Sequence, residues 1–121
     1  MNKFQLQIKD FVESRKWGQF HSPKDLLLGI VEEIAEIRNM IKWEQDPQII
    51  NEVLEKKKEE LADNIGDIYW FLSLLANSHD IDIDQAIQDV IDNNGKRFPI
   101  DKTFDKHTNL HLGGHDGQYQ E

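Results

Sequence analysis

Leu26-Leu-Leu-Gly-Ile-Val-Glu-Glu-Ile-Ala-Glu-Ile-Arg-Asn-Met-Ile-Lys-Trp43 carries an apolar ladder at Leu27, Ile30, Val31, Ile34, Ile37, Met40 and Ile41. Steps of three and four are the helical period, so the stretch predicts an amphipathic helix. It also carries Glu32, Glu33 and Glu36. A second stretch, residues 52–76, holds Glu60, Asp63, Asn64 and Asp67 at comparable spacing. Like charges stacked on one helix face repel by roughly a few tenths of a kcal/mol per pair. Two such faces turned toward each other make a cage of hard oxygens suited to Mg²⁺ or Mn²⁺.

The neighbours of these acids sort them. Asp67 stands among Ile65, Ile68, Tyr69, Trp70 and Phe71, and Glu33 and Glu36 among Val31, Ile34, Ala35 and Ile37. A carboxylate buried in apolar surroundings needs a cation or a metal, so these three are read as metal residues. Glu52, Glu55 and Glu59, interleaved with three lysines, read as a solvated face, and Glu32 as an outer residue. Neither helix carries the Glu-x-x-His pair of di-iron carboxylate bundles, and an all-oxygen set favours Mg²⁺ or Mn²⁺ over iron.

Working outward, Phe4, Ile8, Phe11 and Val12 predict a first helix over residues 2–15, followed by a turn or loop at 17–21. Ser22-Pro23 reads as an N-cap with proline at the first helical position, opening a helix that runs to about Trp43. Asp46-Pro47 ends it. A third helix is expected from Gln48 or Asn51 to about Asn77, with 65–76 apolar nearly all round and therefore central and buried. Gly66 costs that helix roughly 1 kcal/mol against alanine, which a close helix crossing there would explain. A short fourth helix, capped by Asp82 or Asp84, runs through Ile83, Ala86, Ile87, Val90 and Ile91. Asn94-Gly95 closes it, and Pro99 prevents resumption. With no strand pattern, the fold class is all-α, a four-helix bundle over residues 1–100 with a polar, flexible tail at 101–121. His107, His111 and His115 are assigned to that tail.

Composition narrows the function. The chain has 121 residues, 38% hydrophobic, with net charge −9 and no cysteine. Nucleic acid is disfavoured as a partner, because phosphate contacts need a Lys/Arg surface. Disulfides and zinc-thiolate sites are excluded. No apolar run is long enough to span a bilayer and no signal-peptide core is visible, so a cytoplasmic protein is expected. So few apolar residues build a modest core, which makes burial against a second copy plausible.

Two further groups are candidates for ligand binding. Trp17, Phe20, His21 and Trp43 bracket the first acidic helix and either stack on a nucleobase or anchor a loop and a helix end. Lys96-Arg97, after Asn94-Gly95, either bind phosphates or complement a helix C-terminus.

The ordered set resembles a known family. Trp17-Gly-Gln-Phe-His-Ser-Pro-Lys-Asp-Leu-Leu-Leu28, Val31-Glu-Glu-Ile-Ala-Glu36, Trp43 and Asn94-Gly-Lys-Arg-Phe-Pro99 resemble the all-α MazG-like nucleoside triphosphate pyrophosphohydrolases, within them the dCTP pyrophosphatase branch. The resemblance spans about residues 4–100. The family's Glu-x-x-Asp motif has two registers here. Glu60-Leu-Ala-Asp63 matches its letters. Asn64-Ile-Gly-Asp67 matches its surroundings and its distance to Asn94 and Phe98-Pro99, and places Asn64 where the family carries glutamate. Val90 stands where the branch often has lysine.

The resemblance implies Mg²⁺-dependent hydrolysis of a (deoxy)nucleoside triphosphate to the monophosphate and pyrophosphate, in nucleotide-pool cleaning. It implies a metal (Mg²⁺, with Mn²⁺ as substitute) on Glu33, Glu36 and Asp67, with Asn64 or Asp63 completing the shell. Glu60 or Asp63 would activate water. Trp17, Phe20, His21 and Trp43 would hold base and sugar, and Asn94, Lys96 and Arg97 the phosphates. It also implies a homodimer or a dimer of dimers. The rival reading is a helical oligomer that binds a nucleotide or a protein without turnover, and Asn64 is the residue that feeds it.

Overall fold

The structure, a computed structural model, describes residues 1–104. The expected tail beyond 104, with its three histidines, lies outside the described residues. The chain divides into two compact units, Met1–Ile83 and Asp84–Glu121.

In the first unit, α1 spans Lys3–Ser14. Asn2 and Gln5 form a reciprocal capping box at its start, which satisfies two backbone donors that the first turn leaves free. Trp17–Phe20 then form a single 3-10 turn. α2 spans Pro23–Met40, with the Ser22 hydroxyl accepting from the Asp25 amide at 3.2 Å and proline in the first turn, as the sequence implies. It ends three residues short of Trp43.

The expected third helix is two. α3 spans Pro47–Lys56, capped by Asp46, and α4 spans Lys58–Asn77. Lys57 breaks them at φ −102°, ψ 27°. Every residue around the break is a good helix former, so periodicity gave no warning of it.

α2 and α4 run antiparallel: Gly29 faces Phe71, while Glu33 and Glu36 meet Asn64. Leu26 of α2 and Leu74 of α4 are buried together with Ile8 and Val12 of α1, and Trp70, Phe71 and Leu75 pack against that cluster. Burying such side chains contributes roughly 1.5–3 kcal/mol each. The Phe11 ring meets Trp70 edge-on, 5.3 Å between centroids, and joins α1 to α4.

The close crossing expected at Gly66 occurs at Gly29. A Cβ at Gly29 would lie 2.7 Å from Phe71 Cζ, whereas a Cβ at Gly66 would meet nothing within 4 Å. Nor is the second half of α4 buried all round, since Ile65 and Leu72 are exposed. Within the first unit α2 and α1 make most of the contacts of α4, and α3 touches it near the α3–α4 junction.

A buried polar knot closes this unit. The Gln5 side chain is fully buried and donates to Asn77 Oδ1 (3.1 Å) and the Ile81 carbonyl (2.7 Å), while its Oε1 accepts from the Ile83 amide at 2.9 Å. Every polar atom of this side chain is engaged, which is how a buried amide avoids its desolvation penalty.

In the second unit α5, Ile83–Arg97, continues through Gly95 rather than closing at Asn94-Gly95. A one-turn helix, α6, follows at Ile100–Thr103 with Pro99 as its N-cap. Proline blocks a helix interior but is tolerated at a helix start, where its missing N–H costs nothing. No described helix is long and apolar enough to cross a membrane.

Candidate functional site

The acidic residues gather where α2 crosses α4. Glu33 and Glu36, three apart, face the flank of α4. Asn64, only 5% exposed, projects between them. Its Nδ2 donates to Glu33 Oε2 at 2.9 Å and to Glu36 Oε2 at 2.5 Å. Two carboxylates therefore converge on one nitrogen. Of the two registers the sequence offered, it is Asn64 and not Asp63 that meets the glutamate pair.

A cleft of about 580 Å³ opens beside this junction, lined by Glu36, Asn39, Met40, Lys57, Glu60, Asp63, Asn64 and Asp67. Four of those side chains are carboxylates and one is a lysine. Glu33 is half-buried and stands behind Asn64, while Glu36, Glu60, Asp63 and Asp67 are exposed to the cleft. The apolar neighbours of Asp67 and Glu36 in sequence predict burial, and the structure does not show it. Those neighbours turn to the other sides of their helices and leave both carboxylates in water.

The carboxylates of Glu36, Glu60, Asp63 and Asp67 and the amides of Asn39 and Asn64 give the cleft hard oxygen donors of the kind a divalent cation takes; its one sulfur is the Met40 thioether, and no imidazole lines it. Among the described residues, however, no three His, Cys, Asp or Glu side chains converge as a metal-binding group. Between Glu33 and Glu36 stands the amide nitrogen of Asn64.

Lys57 is a cleft residue that the sequence reading left out. Within Lys56-Lys57-Lys58 it reads as part of a solvated helical run; in the structure it sits at the α3–α4 junction and lines the cleft.

The aromatic candidates stand elsewhere. Trp17 packs edge-on against Phe11 at 5.5 Å, with the Arg15 guanidinium 6.0 Å from its ring centre. Phe20 is exposed, and Trp43 is 86% exposed with the Lys42 ammonium 4.9 Å from its ring centre. His21 is half-buried and lines a separate pocket of about 210 Å³ with Lys9, Val12, Glu13, Gly18, Leu74, Asn77 and Ser78. None of these four lines the acidic cleft. Asn94, half-buried, and Lys96 and Arg97, both exposed, occupy the last turns of α5 in the second unit.

Comparison with known proteins bears on the family and the fold. The profile of the MazG-like family matches residues 30–111. The mouse protein named dCTP pyrophosphatase 1 is 30% identical over 92 residues, covering 75% of this chain and 54% of the relative. Its human counterpart is 30% identical over 94 residues, covering 74% and 54%. The chain thus spans about half the length of the curated relatives it matches. Among solved structures, a pyrophosphatase from Archaeoglobus fulgidus superposes with a TM-score of 0.72 at 28% identity, over 80% of this chain and 90% of that one.

Proposed function

The chain belongs to the MazG-like family, and on that premise we propose that it hydrolyses a nucleoside triphosphate, with a deoxynucleotide as substrate, to the monophosphate and pyrophosphate. The convergence of Glu33 and Glu36 on one point beside a carboxylate-lined cleft carries this reading. The dCTP pyrophosphatase relatives and the Archaeoglobus pyrophosphatase support it.

In this reading Glu33, Glu36 and Asp67 hold Mg²⁺ or Mn²⁺, with Asn64 or Asp63 completing the set. The cation, when bound, would offset phosphate charge that the acidic cleft would otherwise repel. Water adds to phosphorus, a bond of the α–β bridge breaks, and pyrophosphate leaves with the bonding pair. The proton of that water passes to a carboxylate not engaged as a ligand, and Glu60 and Asp63, both facing the cleft, are the candidates. Lys57 supplies a charge-assisted contact to phosphate in the cleft. Asn94, Lys96 and Arg97, on α5 of the second unit, are phosphate-binding candidates by the family resemblance. Trp17, Phe20, His21 and Trp43 hold base and sugar.

Because the aromatic residues do not line the cleft of one chain, the reading includes a homodimer or a dimer of dimers. Leu27, Val31 and Ile34 on α2 and Ile65 and Leu72 on α4 are exposed. Each row sits roughly 100° round its helix from the contact row. In an antiparallel pair that puts both rows on one side, which suits burial by a second copy.

The test is a panel of nucleoside triphosphates with MgCl₂, measuring both pyrophosphate and phosphate. Pyrophosphate without phosphate is expected, and phosphate alone would overturn the reading. A second reading, nucleotide binding without turnover, draws on the amide of Asn64 standing between the two glutamates. It predicts nucleotide-induced thermal stabilisation with no product over hours.

A further inference from the structure

An amide nitrogen at 2.9 and 2.5 Å from two carboxylate oxygens is an unusual occupant for the centre of a candidate cation site. Its orientation is dictated by chemistry. Ionised carboxylates only accept hydrogen bonds, so the NH₂ must face Glu33 and Glu36, and the carbonyl oxygen would be repelled from that position. Both N–H donors of Asn64 are spent there, and the residue is 5% exposed, so water does not compete well for them. Hydrogen bonds to ionised acceptors are among the stronger ones.

We propose that Asn64 is a built-in surrogate for the divalent cation. With no cation bound, its NH₂ holds Glu33 and Glu36 in converging geometry and offsets their mutual repulsion. Cation entry requires the amide to turn over, releasing both hydrogen bonds and presenting Oδ1 as a neutral ligand. The inference rests on the reading of Glu33 and Glu36 as cation-holding residues. A carboxylate at position 64 cannot play this part, because three acids without a cation would repel. This chain therefore keeps a preformed junction in the cation-free state and binds the cation less tightly than an acidic residue 64 would allow. Asn64 acts as a positioning residue, through the two glutamates it orients.

The experiment uses the full chain with MgCl₂ or MnCl₂ alone, without nucleotide, read by thermal unfolding and titration calorimetry. The wild-type melting temperature should change by no more than about 1–2 °C on adding the cation. Asn64→Glu should melt several degrees lower without cation, recover on its addition, and bind it at least about tenfold more tightly. Asn64→Ala, which cannot bridge, should melt lower without cation and show no such tightening. In ¹⁵N-labelled wild type, the Asn64 side-chain NH₂ should shift and exchange faster when the cation is added. Equal cation affinity and equal cation-free stability in wild type and Asn64→Glu would overturn the proposal. Asn64→Glu combined with Glu36→Gln separates the two levels. If the cation still stabilises that double variant fully, cation binding lies elsewhere and the underlying reading fails. If the double variant loses the response while the single variant shows no cation-free loss, only the surrogate role fails.

Discussion

Asn64 Nδ2 and Glu36 Oε2 lie 2.5 Å apart, across the crossing of α2 and α4. With the packing of Gly29 on Phe71, this contact defines the mutual register of the two acidic faces. It places Asp67, one turn further along α4, in the same cleft as Glu36.

Glu36→Gln and Asp67→Asn should each abolish pyrophosphate release in the presence of Mg²⁺, a fall of at least about a hundredfold. Asp67 is exposed, and glutamine at 36 keeps an oxygen that can accept from Asn64, so the far-UV circular dichroism and the melting temperature should change little. Full activity in both variants would sink the site assignment.

Lys57 tests the electrostatics of the cleft. Lys57→Glu replaces its lining cation with a fifth carboxylate and should raise KM for the nucleotide about tenfold. Lys58→Glu, on a lysine that pairs with Glu55 at 3.5 Å and does not line this cleft, should change KM less than twofold. Equal effects of the two variants would mean that only overall charge matters.

Gly29 and Phe71 set how closely α2 approaches α4. Gly29→Ala puts a methyl group 2.7 Å from the ring edge, so it should destabilise the fold by about 1–3 kcal/mol in urea unfolding despite its better helix propensity. Pairing it with Phe71→Leu, which removes the obstructing ring, should recover part of that loss. Additive losses would show that the two sites do not communicate.

Ser73 makes the opposite prediction. Its hydroxyl is wholly buried and finds no hydrogen-bond partner among the described residues. Removing the orphaned group in Ser73→Ala should stabilise the protein by about 1 kcal/mol, read as a higher urea midpoint at unchanged slope.

Gln5→Leu should cost at least about 2 kcal/mol, because the Ile83 amide and the Asn77 side chain lose their buried partner. Retention of wild-type stability would show that water can replace the amide there.

Much of the fold was legible because the helical period was strong. The Ser22-Pro23 start of α2 and the pairing of two acidic faces follow from spacing and local chemistry, whereas the preference for Asn64 and Asp67 over Glu60 and Asp63 rests on the family resemblance. The break at Lys57 was not legible, since lysine and glutamate suit a helix interior as well as a helix end. The placement of Gly29 rather than Gly66 at the close crossing depends on which face α2 turns to α4, and a single helix does not encode that. The burial expected for Glu36 and Asp67 failed for a related reason. Apolar neighbours in sequence lie 100° apart around a helix, so they say little about the environment of the residue between them.

The interruption at Lys57 also bears on how tolerant the chain is of changes in length. In an unbroken helix, one inserted residue would rotate everything after it by about 100° and carry Asn64 away from Glu33 and Glu36. The hydrogen-bond ladder still passes through Lys57, whose N–H donates to the Val53 carbonyl at 3.0 Å and whose carbonyl accepts from the Leu61 N–H at 2.9 Å. The interruption therefore re-aims α3 without uncoupling it from α4, and a residue inserted in α3 should shift the phase of Lys57 in the cleft lining.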